Sequence, residues 1–121
     1  MEQGNRFTVH VHLHGTLAAN AQGAFRVPCA CSLVEASACA GNDSDATLIV
    51  GTAADDNGFC TAQTIGDGAT PKVLSFDGAL VTPGTPPHLA DNTVFSWGLD
   101  FDGAGGTAAA HVSILFTFTE G

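Results

Sequence analysis

Large apolar and polar residues alternate one by one along three stretches of this chain. Phe7, Val9, Val11 and Leu13 interleave with Thr8, His10, His12 and His14; Phe95, Trp97, Leu99 and Phe101 with Val94, Ser96, Gly98 and Asp100; and Val112, Ile114, Phe116 and Phe118 with Ser113, Leu115, Thr117 and Thr119. A period of two sends one set to each side of an extended chain, so each stretch predicts a strand with one core-facing row. Shorter or less regular runs over 23–27 (closed by Pro28), 32–40, 46–51, 59–65 and 72–76 predict further strands, with β-branched residues densest in the 46–51 run. Turn clusters at 41–45, 55–58, 66–68 and 102–106 separate them. The stretch 77–92 carries Pro83, Gly84, Pro86 and Pro87 and predicts a long ordered loop. Residues 108–110 are the one local hint of helix, too short to nucleate. Seven or eight strands without interleaved helices predict an all-β antiparallel sandwich. A jelly-roll-like order is preferred, because it sets the first and last strands side by side.

Composition agrees with the pattern. Of 121 residues, 15 are Gly, 5 are Pro and only 12% are charged, and strong helix formers are scarce. The hydrophobic share of 45% is too high for a disordered chain. Three Lys plus Arg stand against twelve Asp plus Glu, a net charge of -9. Arg6, Arg26 and Lys72 are far apart, which excludes a phosphate-gripping patch and an anionic-membrane patch. No run of about 18 apolar residues exists, and the opening residues lack the cationic and apolar regions of a signal peptide, so neither a membrane span nor signal-led secretion is expected. The length suits one domain. Residues 1–6 lack periodicity and read as an N-terminal arm, with 7–121 as the sandwich.

The sharpest chemical feature is the His10, His12, His14 series. Three imidazoles on one face of a strand could supply a metal with ligands, completed by His111 or His88 from elsewhere. The same series also suits a wetted strand face or a subunit contact. Asp100 and Asp102 before Gly103 resemble a fragment of a calcium loop, but the third acidic position and the closing Glu are missing, and Asp-Gly is good hairpin chemistry. Cys29, Cys31, Cys39 and Cys60 permit three disulfide pairings; without a secretory signal they read as reduced thiols. Cys29 and Cys31, one residue apart in an extended chain, are expected on one face, about 6 to 7 Å apart. No serine sits in a nucleophile elbow and no Gly-rich loop suits a phosphate, so neither an enzyme nor a bound cofactor is expected.

Several segments carry a resemblance: Phe25-x-x-Pro28-Cys29-x-Cys31-x-Leu33, residues 45–52, residues 99–109 and the ending Phe118-Thr119-Glu120-Gly121. Together they resemble small structural proteins of tailed phages and prophages, some of which decorate heads or act as accessory capsid proteins. The resemblance implies a virion protein, assembled in the host cytoplasm, that joins the major capsid protein and forms homo-oligomers, with a trimer favoured. The charge balance leaves nucleic acid and membrane out of the expected partners. The contact regions expected on this reading are the arm with Glu2, Gln3, Asn5 and Arg6, the face of His10, His12 and His14, and the loop containing Pro86, Pro87 and His88. A tail, fibre or neck component, or a metal- or glycan-binding module, are the alternatives.

Overall fold

The computed structural model describes residues 5–121. Nine strands form two antiparallel sheets: β1 (Arg6–Thr16), β2 (Ala21–Arg26), β3 (Cys31–Cys39), β4 (Thr47–Thr52), β5 (Cys60–Thr64), β6 (Lys72–Val73), β7 (His88–Leu89), β8 (Val94–Asp100) and β9 (Ala110–Glu120). One sheet runs β1-β9-β3-β6, with β7 pairing a different part of β3; the other runs β2-β8-β4-β5. The all-β antiparallel sandwich expected from the sequence is the observed fold, and the first and last strands lie side by side. The β1–β9 pairing is the most extensive, from Arg6 opposite Thr119 to Thr16 opposite Ala110.

The inward rows of both sheets meet in one core. Val112, Ile114, Phe116 and Phe118 of β9 face Phe95, Trp97 and Leu99 of β8, with Leu33, Leu48 and Val50 around them, all buried. Phe95 is the hub. Its ring centroid lies 4.8 Å from Phe116, 5.3 Å from Phe118 and 5.1 Å from Phe25, the first two edge-on, as ring quadrupoles prefer. The row Phe7, Val9, Val11 and Leu13 of β1 also faces inward but is only half-buried, because β1 is an edge strand.

The differences from the sequence pattern have physical causes. β3 breaks its alternation at a bulge between Leu33 and Glu35, which swaps the inward parity midway. The expected strand over 72–76 keeps only two ladder residues. The loop 77–92 contains β7, a two-residue strand too short to leave a pattern. The helix hint at 108–110 ends in strand, with Ala110 opening β9. Cys29 and Cys31 do not share a face: Cys29 sits half-buried in the turn before β3, with its sulfur 3.8 Å from Glu120 Oε1, while Cys31 is fully buried. All four cysteines are free thiols.

Polar side chains hold the loops. Asn42 donates to the Ala108 carbonyl and accepts from the Ala110 N–H, both at 2.9 Å, tying the β3–β4 loop to the start of β9. Asp77 accepts the N–H and hydroxyl of Thr61, each at 2.8 Å, and these bonds hold its carboxyl below the ordinary range. Gln63 clasps the backbone of Ser75 in both directions, so the β5 edge is shielded by the segment beside it.

Candidate functional site

The imidazole series stands on the outer face of the β1-β9-β3 sheet. Alternation along β1 turns Phe7 to Leu13 inward and leaves His10, His12 and His14 exposed. Their ring centroids are 6.4 and 6.3 Å apart in succession. His12 Nδ1 shares a hydrogen bond of 3.0 Å with the Ser113 hydroxyl on β9. The series continues onto β9, where His111 meets His14 edge-on at 5.2 Å.

A bulge makes that last contact. The β1–β9 register shifts between Leu13 and Thr16, and two of the three residues at the irregularity lie in the left-handed region: Gly15 at φ 78 and His111 at φ 52. Glycine adopts that conformation freely, whereas histidine does so at a cost. The Gly15 N–H donates to His111 Nδ1 at 3.3 Å, which holds the ring in place.

Of the two extra ligands the sequence suggested, the fold brings His111 to the series and sends His88 away. His88 pairs with Ser32 at the far side of β3, three strands from β1 and so about 14 Å across the sheet. Among the described residues, no three or more His, Cys, Asp or Glu side chains converge as a metal site. The acidic turns are occupied structurally. Asp100 Oδ1 accepts the Asp102 N–H at 3.0 Å, Asp45 Oδ2 accepts the Thr107 N–H at 2.7 Å, and Asp102 takes the positive φ expected of an Asp-Gly turn.

The expected contact residues divide. Glu2 and Gln3 lie outside the described residues. Asn5 and Arg6, assigned to the arm, are tied to the sheet: the Asn5 carbonyl accepts the Glu120 N–H at 2.9 Å and Arg6 opens β1. Pro86 and His88 are exposed, but Pro87 is buried and its carbonyl accepts the Leu33 N–H at 2.8 Å, so it serves the core instead of a partner.

Sequence reasoning missed a hollow beside the imidazoles. A shallow cavity of about 490 Å³ lies between β1 and the loop before β6, lined by His10, Ser37, Cys39, Pro71, Ser113 and Leu115. Leu115 is opposite His10 on one side and Ser37 on the other, and Val73 of β6 continues the row. Leu115 and Val73 are 36% and 58% exposed, so this row carries two large apolar side chains on an outward face. Its signal in the sequence was the leucine at a polar position of the β9 alternation.

Three of the four thiols are shifted away from the nucleophilic thiolate. Burial pushes Cys31 up, and burial with the nearby Asp77 carboxylate pushes Cys60 up to about 12; burial and Glu120 raise Cys29. A disulfide reagent added to the native protein should therefore label half-buried Cys29 and Cys39 first, and Cys31 and Cys60 only on unfolding. Fast labelling of all four without denaturant would contradict the burial described.

Compared with known proteins, the chain matches no family model, no curated protein and no solved structure.

Proposed function

We propose that this protein is a structural accessory protein of a virion, of the capsid-decoration type, that works by docking its β1-β9-β3 face against neighbouring subunits. The observation that carries the reading is a segregation of charge. Of twelve acids, Glu35 and Glu120 lie on strands of this sheet, Asp100 lies on the other, and Glu2 lies outside the described residues, which leaves eight in loops. On a chain of net charge -9, the face built from Thr8, His10, His12, Ser113, Leu115 and Ser37 carries hydroxyls, imidazoles and an exposed leucine, with Glu35, across from Thr117, as the strand carboxylate on it. Such a face loses little on desolvation when it meets another protein, while the acidic loops keep the remainder solvated. The segments that carry the resemblance adjoin in two pairs: β4 pairs β8 and Asp45 holds Thr107, while the Gly121 N–H bonds the Ala30 carbonyl beside the Cys31–Glu120 pair. We read the sheet orders as jelly-roll-like.

Mass spectrometry of purified particles from cells carrying the gene tests this. The expected result is this chain at a copy number comparable with the major shell protein. A few copies per particle would assign it to a tail, fibre or neck, and its absence from particles would overturn the reading.

A further inference from the structure

The β1 strand is an unblocked edge, and from its geometry we propose that two copies of this chain pair through it, antiparallel, about a twofold axis at His10. The proposal concerns the chain alone and stands whether or not a shell is its final partner. In an antiparallel pair, a residue's N–H and C=O point to the same side and alternate from one residue to the next. The Asn5 carbonyl bonds the Glu120 N–H of β9, so Asn5, Phe7, Val9, Val11 and Leu13 direct their backbone groups at β9. Arg6, Thr8, His10, His12 and His14 direct theirs away from it. Among the described residues, none of 6–14 has a backbone hydrogen bond to an element other than β9.

Free edges of this length are usually blocked by proline, inward charge or a covering segment. Among the described residues β1 has none of these: it holds no proline, its lone charged residue is Arg6 at one end, and its bulge comes only at Gly15. The opposite edge of the sandwich is guarded by the Gln63 and Asp77 clasps. The half-buried residues Phe7, Val9, Val11, Leu13, Leu17, Ala21 and Phe25 gather along β1 and β2, so the seam between these two edges is the incompletely closed side of the core.

A second copy fits this edge better than an arbitrary strand, on two grounds. The first is register. Pairing about His10 overlaps all of Arg6 to His14, the bulge-free part of the strand, and satisfies the outward groups on both copies. Phe7 then faces Leu13 of the second copy and Val9 faces Val11, so every apolar residue meets an apolar one on the core side. The imidazoles and Thr8 meet on the outer side. The second ground is charge. Residues 3–34 contain no carboxylate, although the chain carries twelve, so this flank is where two chains of charge -9 can approach without opposing acids. Arg6 of each copy ends opposite His14, about 27 Å from the other Arg6, which avoids the one like-charge clash available. The result is a twofold pair with a continuous sheet through both copies, in place of the trimer expected from the resemblance.

Light scattering behind a sizing column, with reductant present, tests the pair and its register together. The wild-type protein should have twice the chain mass. The T8K/H12K variant places lysine opposite lysine at two symmetric positions and should associate roughly tenfold more weakly or run as a monomer. The T8K/H12E variant places lysine opposite glutamate at the same positions and should dimerise again. The H10P variant removes the outward N–H at the axis without taking a bond from β9, and should dissociate with its circular dichroism unchanged. A wild-type monomer at every concentration would give the edge to another protein's strand and overturn the proposal. So would a trimer, or an oligomer indifferent to all three variants. Failure of T8K/H12E to dimerise while H10P dissociates would overturn the His10-centred register.

Discussion

Replacing Phe95 with alanine should lower stability by about 3–5 kcal/mol, measured as a shift of the urea midpoint at unchanged slope. Phe95 is fully buried on β8 and contacts four other phenylalanines: Phe25, Phe59, Phe116 and Phe118. These rings come from both sheets and from the loop before β5, so the cavity left by truncation is walled by several elements and closes poorly. A domain of this kind has about 5–15 kcal/mol in total, so the loss takes a large share of it. The adjacent Val94 is 39% exposed on the opposite side of the same strand, and Val94→Ala should cost under about 0.5 kcal/mol. A loss under about 1 kcal/mol for F95A would mean that the five-ring cluster is not the centre of the core.

The pair Phe95 and Val94 shows why so much of the sandwich was legible. On β1 the alternation of large apolar and polar residues is unbroken, on β8 and β9 only Val94 and Leu115 depart from it, and the apolar rows within these strands are inward in the fold. Where register is kept by something other than alternation, the pattern failed. β3 changes parity at its bulge. β6 and β7 are two residues each, held by β3 and the loop backbone, and no period can show in two residues. The candidate site followed the same division. His10, His12 and His14 on one exposed face were readable from their spacing. Their continuation to His111 depends on the shift at Gly15, a backbone conformation that the one-dimensional pattern does not carry. The hollow required knowing that Ser37 and Val73 lie across from Leu115, which is long-range pairing. Pro87 misled because proline is common in exposed loops, whereas here the ring is packed and only its carbonyl has a polar task.

Glycine 51 gives the second large effect, and composition alone hides it. Gly51 lies inside β4, between Val50 and Thr52, at a place where a β-branched residue would ordinarily strengthen a strand. The turn that follows β4 folds back over it. The Thr52 N–H donates to the Asp55 carbonyl at 2.9 Å, the Asp55 N–H returns to the Thr52 carbonyl at 3.1 Å, and the Phe59 N–H reaches the Val50 carbonyl at 3.0 Å. This brings the backbone of Asp55, Asp56 and Gly58 onto the space a side chain at position 51 would need. Those atoms are main chain, held by the bonds just named, and cannot swing aside as a flexible side chain would. Gly51→Ala must therefore push the turn off the strand and loosen the Phe59 anchor that enters the core beside Phe95. Overpacking costs about 1–3 kcal/mol, and each loosened backbone bond adds about 1, so a loss of about 3 kcal/mol is expected. At about 4 °C per kcal/mol for a domain of this size, the melting temperature should fall by about 12 °C. Gly105→Ala is the comparison, because a side chain there meets nothing within 4 Å and should leave the melting temperature nearly unchanged. Equal melting temperatures for the two variants would show that the turn does not rest on β4. A fall confined to Gly51→Ala would place the need for glycine in the contact between turn and strand.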